Sequence, residues 1–342
     1  MIKITIKDVA REAGVSTQTI SRVINNKGEI TPETRARVQE VIDRLNYNPS
    51  SVARSLASRH TRTLGVIVSD ITNPFYADLI SSIQETAWEL DYAVFQIITM
   101  NDSDRERIAI QRLANQQVEG IICCRSRLLN EELCRLVKPF KAAAFANREA
   151  PCSGLGSVCH ENEYAMKLAI NHLAAVGCRR VAFLAGRRNR YYDTLRIKAY
   201  EDALKASGLP CEPEILSLEF EWSTEWLQRD LEVDEDVLKV FSIHPDIDGL
   251  ICYNDVFAIG AVRALQSIGR RVPQDVAVVG IDDIRMGRFI TPTLTTLRPK
   301  THELGVAVVR MVVDQIEGRG EACEILLPYE LVVRESTARS QV

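Results

Sequence analysis

Two groups of residues in this 342-residue chain could do chemistry. The first lies in "STQTISRVIN", positions 16–25. If that stretch is helical, Thr17, Gln18, Ser21, Arg22 and Asn25 face outward while Ile20 and Val23 face inward. Every outward residue can hydrogen-bond and none is acidic. Gln suits the N6/N7 edge of adenine and Arg the O6/N7 edge of guanine. Ser16, Thr19, Ser21 and Asn25 suit phosphate oxygens. This is chemistry for reading duplex DNA; the plainer alternative is an ordinary polar helix face.

The second group closes several short apolar runs. "LGVIVSD" ends on Ser69 and Asp70, and "AAAFAN" on Asn147 with Arg148 next. "GLICYND" ends on Asn254 and Asp255, and "VAVVGIDD" on Asp282 and Asp283. Carboxylates, amides and an arginine gathered in one cleft suit a ligand with many hydroxyls. Phe75 and Trp222 could flank its C–H surfaces. The alternative for each single residue is that it caps the next helix, and Asp255 is expected to do so.

Three helices must position the first group. Thr5 before Ile6-Lys7-Asp8 gives a start like a capping box, with Asp8 at the third helical position. Val9, Ala10 and Ala13 supply an inward face, Gly14 breaks the helix, and Ser16 can cap the next. Two helices across a tight Gly turn form a helix-turn-helix pattern, whose second helix enters the major groove. A third begins at Thr31 with Pro32 in its first turn, and carries Val38, Val41, Ile42 and Leu45. Charge follows the same division. Residues 1–60 hold ten Lys/Arg and six Asp/Glu, the remainder 32 and 40, and the whole chain is −4. Only the head has the balance expected for an anionic partner.

From residue 60 onward, apolar runs alternate with helical stretches over 75–90, 105–116, 161–176, 194–207, 256–268 and 302–317. That alternation predicts parallel sheets covered by helices on both faces. About 280 residues of it imply two doubly wound units. Ligands of such sheets sit beyond the carboxyl ends of the strands, where the second group lies.

The head stretch "IKDVAREAGVSTQTISRVIN", continued by "TRARVQEVIDRLNYNPSSVARSLAS", resembles the LacI/GalR family of bacterial transcription regulators. The resemblance covers nearly the whole chain. It implies that Thr17, Gln18 and Arg22 read bases, and that about 50–58 form a hinge helix capped by Ser50 or Ser51. Leu56 matches the family leucine that wedges into the minor groove. Thr5, Thr31, Tyr47, Ser50 and Ala53 complete the expected DNA contacts; the family more often has Asn where Ser50 stands. In the body, "SDITNPFYADLISSIQETA" is similar to the first effector loop. "TLRIKAYEDAL" is similar to the segment with the effector-binding arginine, here Arg196, although Ala199 stands where glycine is usual. "CYNDVFAIGA" and "VVGIDDIRMGRFITPTLTTLR" match further signatures, giving Asn254 and Asp282. Asn147 and Trp222 match a ligand-contacting and a ring-stacking position.

The resemblance implies an N-terminal all-α head (1–59) and a periplasmic-binding-protein-like α/β body (60–342). The body's first subdomain is expected over about 61–161 plus 291–323, and its second over about 162–290 plus 324–342. The chain is expected to cross between them near Glu161, Ile290 and Glu324. It also implies a homodimer on a pseudo-palindromic DNA operator, controlled by a sugar or sugar acid in the cleft. Arg148 and Arg196 would tolerate a carboxylate or phosphate. A purine corepressor is the alternative effector.

An enzyme is not expected. There is no Gly-rich phosphate loop, Walker loop or G-x-S-x-G elbow. The five histidines are scattered, without metal-ligand spacing. No cofactor or metal is expected. A sugar-binding protein for a transporter would share the body but needs export, and "MIKITIKDVA" has no apolar signal region. No apolar run approaches the roughly 20 residues of a membrane span. Nine cysteines without a C-x-x-C pair suggest neither a disulfide framework nor zinc, and fit a cytoplasmic protein. No leucine heptads follow the body, so a dimer is the expected assembly.

Overall fold

A computed structural model describes residues 4–24, 28, 30–47, 60–185, 191–210, 212–217 and 232–339. The expected contacts Asn25, Ser50, Ala53, Leu56 and Trp222, with the expected hinge helix, lie outside the described residues. The chain divides into two units, 1–61 and 62–342.

The first unit holds α1 (Ile6–Ala13), α2 (Thr17–Ile24) and α3 (Pro32–Arg44). Asp8 accepts from the Thr5 backbone N–H at 3.0 Å and its hydroxyl at 2.7 Å, so α1 starts where the sequence predicts. These bonds hold the Asp8 carboxyl below its ordinary value. Gly14, at φ 66°, ends α1 in a left-handed conformation that costs glycine little. Ser16 Oγ then accepts from Thr19 N–H at 3.1 Å and caps α2. Thr31 Oγ1 accepts from Thr34 N–H at 3.3 Å and caps α3, whose first residue is Pro32. Val9, Ala10, Ala13, Ile20, Val23, Val38 and Val41 form the core, with Ile42, Leu45 and Tyr47 packed on it.

The second unit alternates strand and helix. It runs β1 (Thr63–Val68), α4 (Pro74–Glu89), β2 (Ala93–Ile98), α5 (Ser103–Asn115), β3 (Gly120–Cys124), α6 (Asn130–Val137), β4 (Ala142–Ala146) and β5 (Gly156–His160). Then come α7 (Asn162–Ala175), β6 (Val181–Ala185), α8 (Tyr191–Ser207), β7 (Glu214–Ser217), α9 (Glu232–Ile243), β8 (Gly249–Cys252), α10 (Asp255–Ser267) and β9 (Ala277–Ile281). It closes with β10 (Thr295–Arg298), α11 (Thr301–Ile316), β11 (Glu324–Leu327) and β12 (Glu330–Val332).

Two six-stranded sheets result, ordered β11-β5-β4-β3-β1-β2 and β12-β10-β9-β8-β6-β7. All pairings are parallel except β10 with β12. The first sheet shows why its strands read as unbroken apolar runs. Val66, Val68, Ile122 and Cys124 pack on one face with α4 and α11. Ile67, Ile121, Cys123 and Phe145 pack on the other with α5 and α6. Both faces are dry, so the two-residue period has no polar phase. Gly305 lets α11 lie directly on α4, since a Cβ there would strike Ser82.

Each sheet with its helices forms a lobe, and the chain passes between lobes three times. The first passage follows β5, near Glu161. The second comes after Arg298, not near Ile290, because β10 pairs in register with β9 (Thr295 with Val279). The third comes after Leu327, not near Glu324, because β11 joins the first sheet beside β5 (Glu324 with Ser157). Both strands are only four residues long, and their pairing places them. Cysteine usage departs from expectation as well. Cys134 of α6 and Cys152 in the β4–β5 connection form a disulfide, with Cα atoms 6.3 Å apart. No helix among the described residues is long and apolar enough to cross a membrane.

Candidate functional site

In the first unit the exposed side of α2 carries Thr17, Gln18 and Arg22, with Thr19 and Ser21 half-buried beside them. The expected contacts divide by use. Ser16 and Thr31 hydroxyls serve as helix caps, and the Thr5 hydroxyl is committed to Asp8. Tyr47 is half-buried against the head core, and burial raises its phenol. Thr17, Gln18 and Arg22 are left presenting polar groups outward on one short helix.

In the second unit a pocket lies between the strand ends of both sheets. The first lobe lends it Asn73, Phe75, Tyr76, Arg125 and Asn147; the second lends Arg196, Tyr253, Asn254 and Asp282. Tyr329, in the third passage between lobes, completes the lining. Five expected residues therefore meet here: Phe75, Asn147, Arg196, Asn254 and Asp282.

Each is held by its local structure. Asn254 caps α10, accepting from Phe257 N–H at 3.0 Å. The cap is thus Asn254, not the expected Asp255. Asp255 is buried instead and accepts from Ile284 N–H at 2.8 Å and Thr296 Oγ1 at 2.6 Å. Burial, then the neighbouring Asp282 charge, pushes its carboxyl up to about 8. Asn147 takes φ 53°, a left-handed conformation Asn tolerates well. Its Oδ1 lies 2.8 Å from His160 Nδ1. Burial, with Arg196 nearby, lowers His160 to about 3, so the imidazole is neutral and its Nδ1–H donates to Asn147. Arg196 donates from Nη1 to Tyr253 O at 2.6 Å, from Nη2 to Tyr329 Oη at 3.1 Å and from Nε to Asn162 Oδ1 at 3.2 Å. Burial pushes Asp282 up to about 6, against the pull of Arg196, Asn73 and Arg125.

Three expected residues do not reach the pocket. Asp70 is spent on its own turn, accepting from Thr72 N–H and Oγ1, both at 2.8 Å. Ser69 is buried under that turn. Arg148 points away from Asn147, as successive residues leaving a strand do. It donates to Ser126 O at 2.6 Å, Leu128 O at 2.9 Å and Asn130 Oδ1 at 2.8 Å, fixing the loop after β3.

Five lining residues were missed. Asn73 caps α4, accepting from Phe75 N–H at 3.0 Å, and turns its amide nitrogen to Asp282 at 3.3 Å. "TNP" flags that cap, but not its second bond. Arg125 follows the run "GIICC", so the strand-end rule that found Asn147 applied to it equally. It donates from Nη2 to Tyr253 Oη, its guanidinium 5.5 Å from that ring centre. Tyr76 and Tyr253 directly follow or precede expected residues. Tyr329 carries no sequence signal.

The chain is similar to proteins of known kind throughout its length. Residues 5–50 match the model of bacterial regulatory proteins of the lacI family, and 170–337 that of the periplasmic binding protein-like domain. The ribose operon repressor of Halalkalibacterium halodurans is 32% identical over 338 residues, 97% of each chain. The HTH-type transcriptional repressor PurR of Histophilus somni is 31% identical, covering 97% of this chain and 98% of that one. Among solved structures, the Lac repressor dimer bound to operator and the anti-inducer ONPF superposes with a TM-score of 0.85 at 26% identity, covering 98% and 99%.

Proposed function

The chain belongs to the lacI family of bacterial regulatory proteins, and from that premise we propose how its parts divide the work. It is a DNA-binding transcription repressor whose operator affinity is set by a small effector. Thr17, Gln18 and Arg22 would read base edges. Ser16, Thr19, Ser21 and Asn25 would hold phosphates, and Thr5, Thr31, Tyr47, Ser50 and Ala53 would support them. Leu56 would enter the minor groove. Two copies would bind half-sites of a pseudo-palindrome, because a two-fold dimer matches a two-fold site. We assign it no catalysis and place its work in the cytoplasm.

The pocket carries the effector reading. Its lining comes from both lobes, so a ligand there touches both and favours the arrangement in which both sets of contacts are made. Coupling of this kind is reciprocal and amounts to about 1–3 kcal/mol. Amides, tyrosine hydroxyls and Asp282 in one pocket favour a hydroxylated, sugar-like ligand. The rings of Phe75, Tyr76 and Tyr253 in the same wall support a second reading, a flat purine acting as corepressor. Thermal unfolding of the intact chain against sugars, sugar acids and purines separates the two. A ligand at 100 times its Kd raises stability by about 2.7 kcal/mol. Arg196→Ala should remove that shift; a variant that responds like the wild type overturns the pocket assignment.

A further inference from the structure

The disulfide of the first lobe joins two elements that are already joined. Cys134 lies on α6 and Cys152 in the β4–β5 connection. Asn130, one helical turn before Cys134, accepts from Arg148 Nη2 at 2.8 Å. Residues at this spacing share a helix face, so one face of α6 fastens the connection at both Arg148 and Cys152. Arg148 directly follows Asn147, which lines the pocket. The helix itself does not need the disulfide to stay in place. Leu133 and Val137 are buried in the core of the lobe, and Glu132 accepts from Arg107 Nε at 2.5 Å and Nη2 at 3.2 Å. The connection is different, because every residue over 149–155 is exposed or half-buried. Reduction would therefore leave the lobe folded and release the outer part of the connection, while Arg148 holds the inner part.

Access decides the chemistry. Cys152 is exposed and Cys134 half-buried, whereas Cys123, Cys124, Cys159, Cys178 and Cys252 are buried. A small thiolate can therefore reach Cys152 Sγ. Its sulfur bonds to Cys152, the Cys134–Cys152 bond breaks, and Cys134 leaves as a thiolate. A second thiolate then attacks the small-molecule sulfur of that mixed disulfide, releasing the Cys152 thiolate and forming the small-molecule disulfide. The protein disulfide is reduced to a dithiol as the small thiols are oxidised, and the oxidised small molecule runs the same steps in reverse. Exposed disulfides are the labile ones, and in the cytoplasm proposed above a lasting structural disulfide is unusual. We propose that Cys134–Cys152 is an exchange site for low-molecular-weight thiols, and that its redox state sets how firmly the connection behind Asn147 is held.

The test equilibrates the intact chain with reduced and oxidised glutathione over a wide range of ratios. Thiols are trapped by alkylation and assigned by peptide mass, and backbone hydrogen exchange is read on the two end states. Cys134 and Cys152 should become alkylated together as the ratio turns reducing, and lose that reactivity when it turns oxidising again. Hydrogen exchange over 149–155 should quicken severalfold on reduction, while β8 and α10 in the other lobe stay unchanged. Cys152→Ser should show the fast exchange at every ratio. Cys323→Ser, which removes the exposed thiol just before β11, should cycle like the wild type. A pair that stays oxidised or stays reduced at all ratios would overturn the exchange site, and so would loss of cycling in Cys323→Ser. Cycling with unchanged hydrogen exchange over 149–155 would overturn its hold on the connection.

Discussion

Asn73 of the first lobe donates its side-chain amide to Asp282 of the second, Nδ2 to Oδ2 at 3.3 Å. The same Asn73 accepts from Phe75 N–H through Oδ1 and so starts α4. One side chain thereby fixes a helix start and bridges the lobes at the pocket wall. Arg125 and Tyr253 form a second bridge nearby.

Separating the two duties of Asn73 tests this arrangement. Asn73→Ala should lose the cap, at about 1 kcal/mol, together with the bridge. Asn73→Asp keeps a capping oxygen but sets a carboxylate against Asp282. It should retain most stability in denaturant unfolding yet respond poorly to effector in an operator-binding assay. A normal effector response in Asn73→Asp would contradict the bridging role.

Asp255 makes a pH prediction. Its ordinary value is 3.8, and the fold pushes it up to about 8. Across that window the folded chain keeps a proton that the unfolded chain has released. Stability from this group is therefore full below pH 4 and declines as pH rises toward 8. Asp282, pushed up to about 6, acts in the same direction over the lower part. The melting temperature of the body should fall between pH 5 and 8, and Asp255→Asn should flatten the fall. An unchanged slope in the variant would assign the dependence elsewhere.

Arg22 projects from the exposed side of α2. Arg22→Ala should cost about 1–3 kcal/mol on the preferred operator and relax the preference at one base pair. Titrations on operator and on scrambled DNA distinguish this from a phosphate contact, which would weaken both alike.

The Cys134–Cys152 bond joins α6 to the β4–β5 connection, over a sequence separation of 18. A closed loop of that size is worth about 3 kcal/mol. A thiol reductant should lower the melting temperature of the wild type by several degrees. The Cys134→Ser/Cys152→Ser double variant should be insensitive to it. Burial holds the Cys124, Cys159 and Cys178 thiols up at about 12, so a mild oxidant meets the exposed Cys323 first. Equal melting with and without reductant would contradict a stabilising bond.

The sequence shows the elements better than the partners they choose. The head helices are legible because each boundary has a local cause: Thr5 with Asp8, Gly14, Ser16, and Thr31 with Pro32. The strand-end rule finds Asn147, Asn254 and Asp282, because a residue just past a parallel strand has few places to go. It cannot say which way a side chain turns. Asn147 faces the pocket while Arg148, one residue on, braces the loop behind it. Nor can it assign β10 and β11, whose membership depends on pairing with strands far away in the chain. Arg125 follows the β3 run and is legible by the same rule; Tyr329 depends on where the third passage between lobes falls.

If the head and the pocket work together, this chain reads one DNA sequence under effector control. Selection from a random duplex library by the intact chain, with and without a small molecule that stabilises it, tests this most simply. A pseudo-palindrome should be enriched, and its recovery should change severalfold with that small molecule. Enrichment of no sequence under either condition would contradict it.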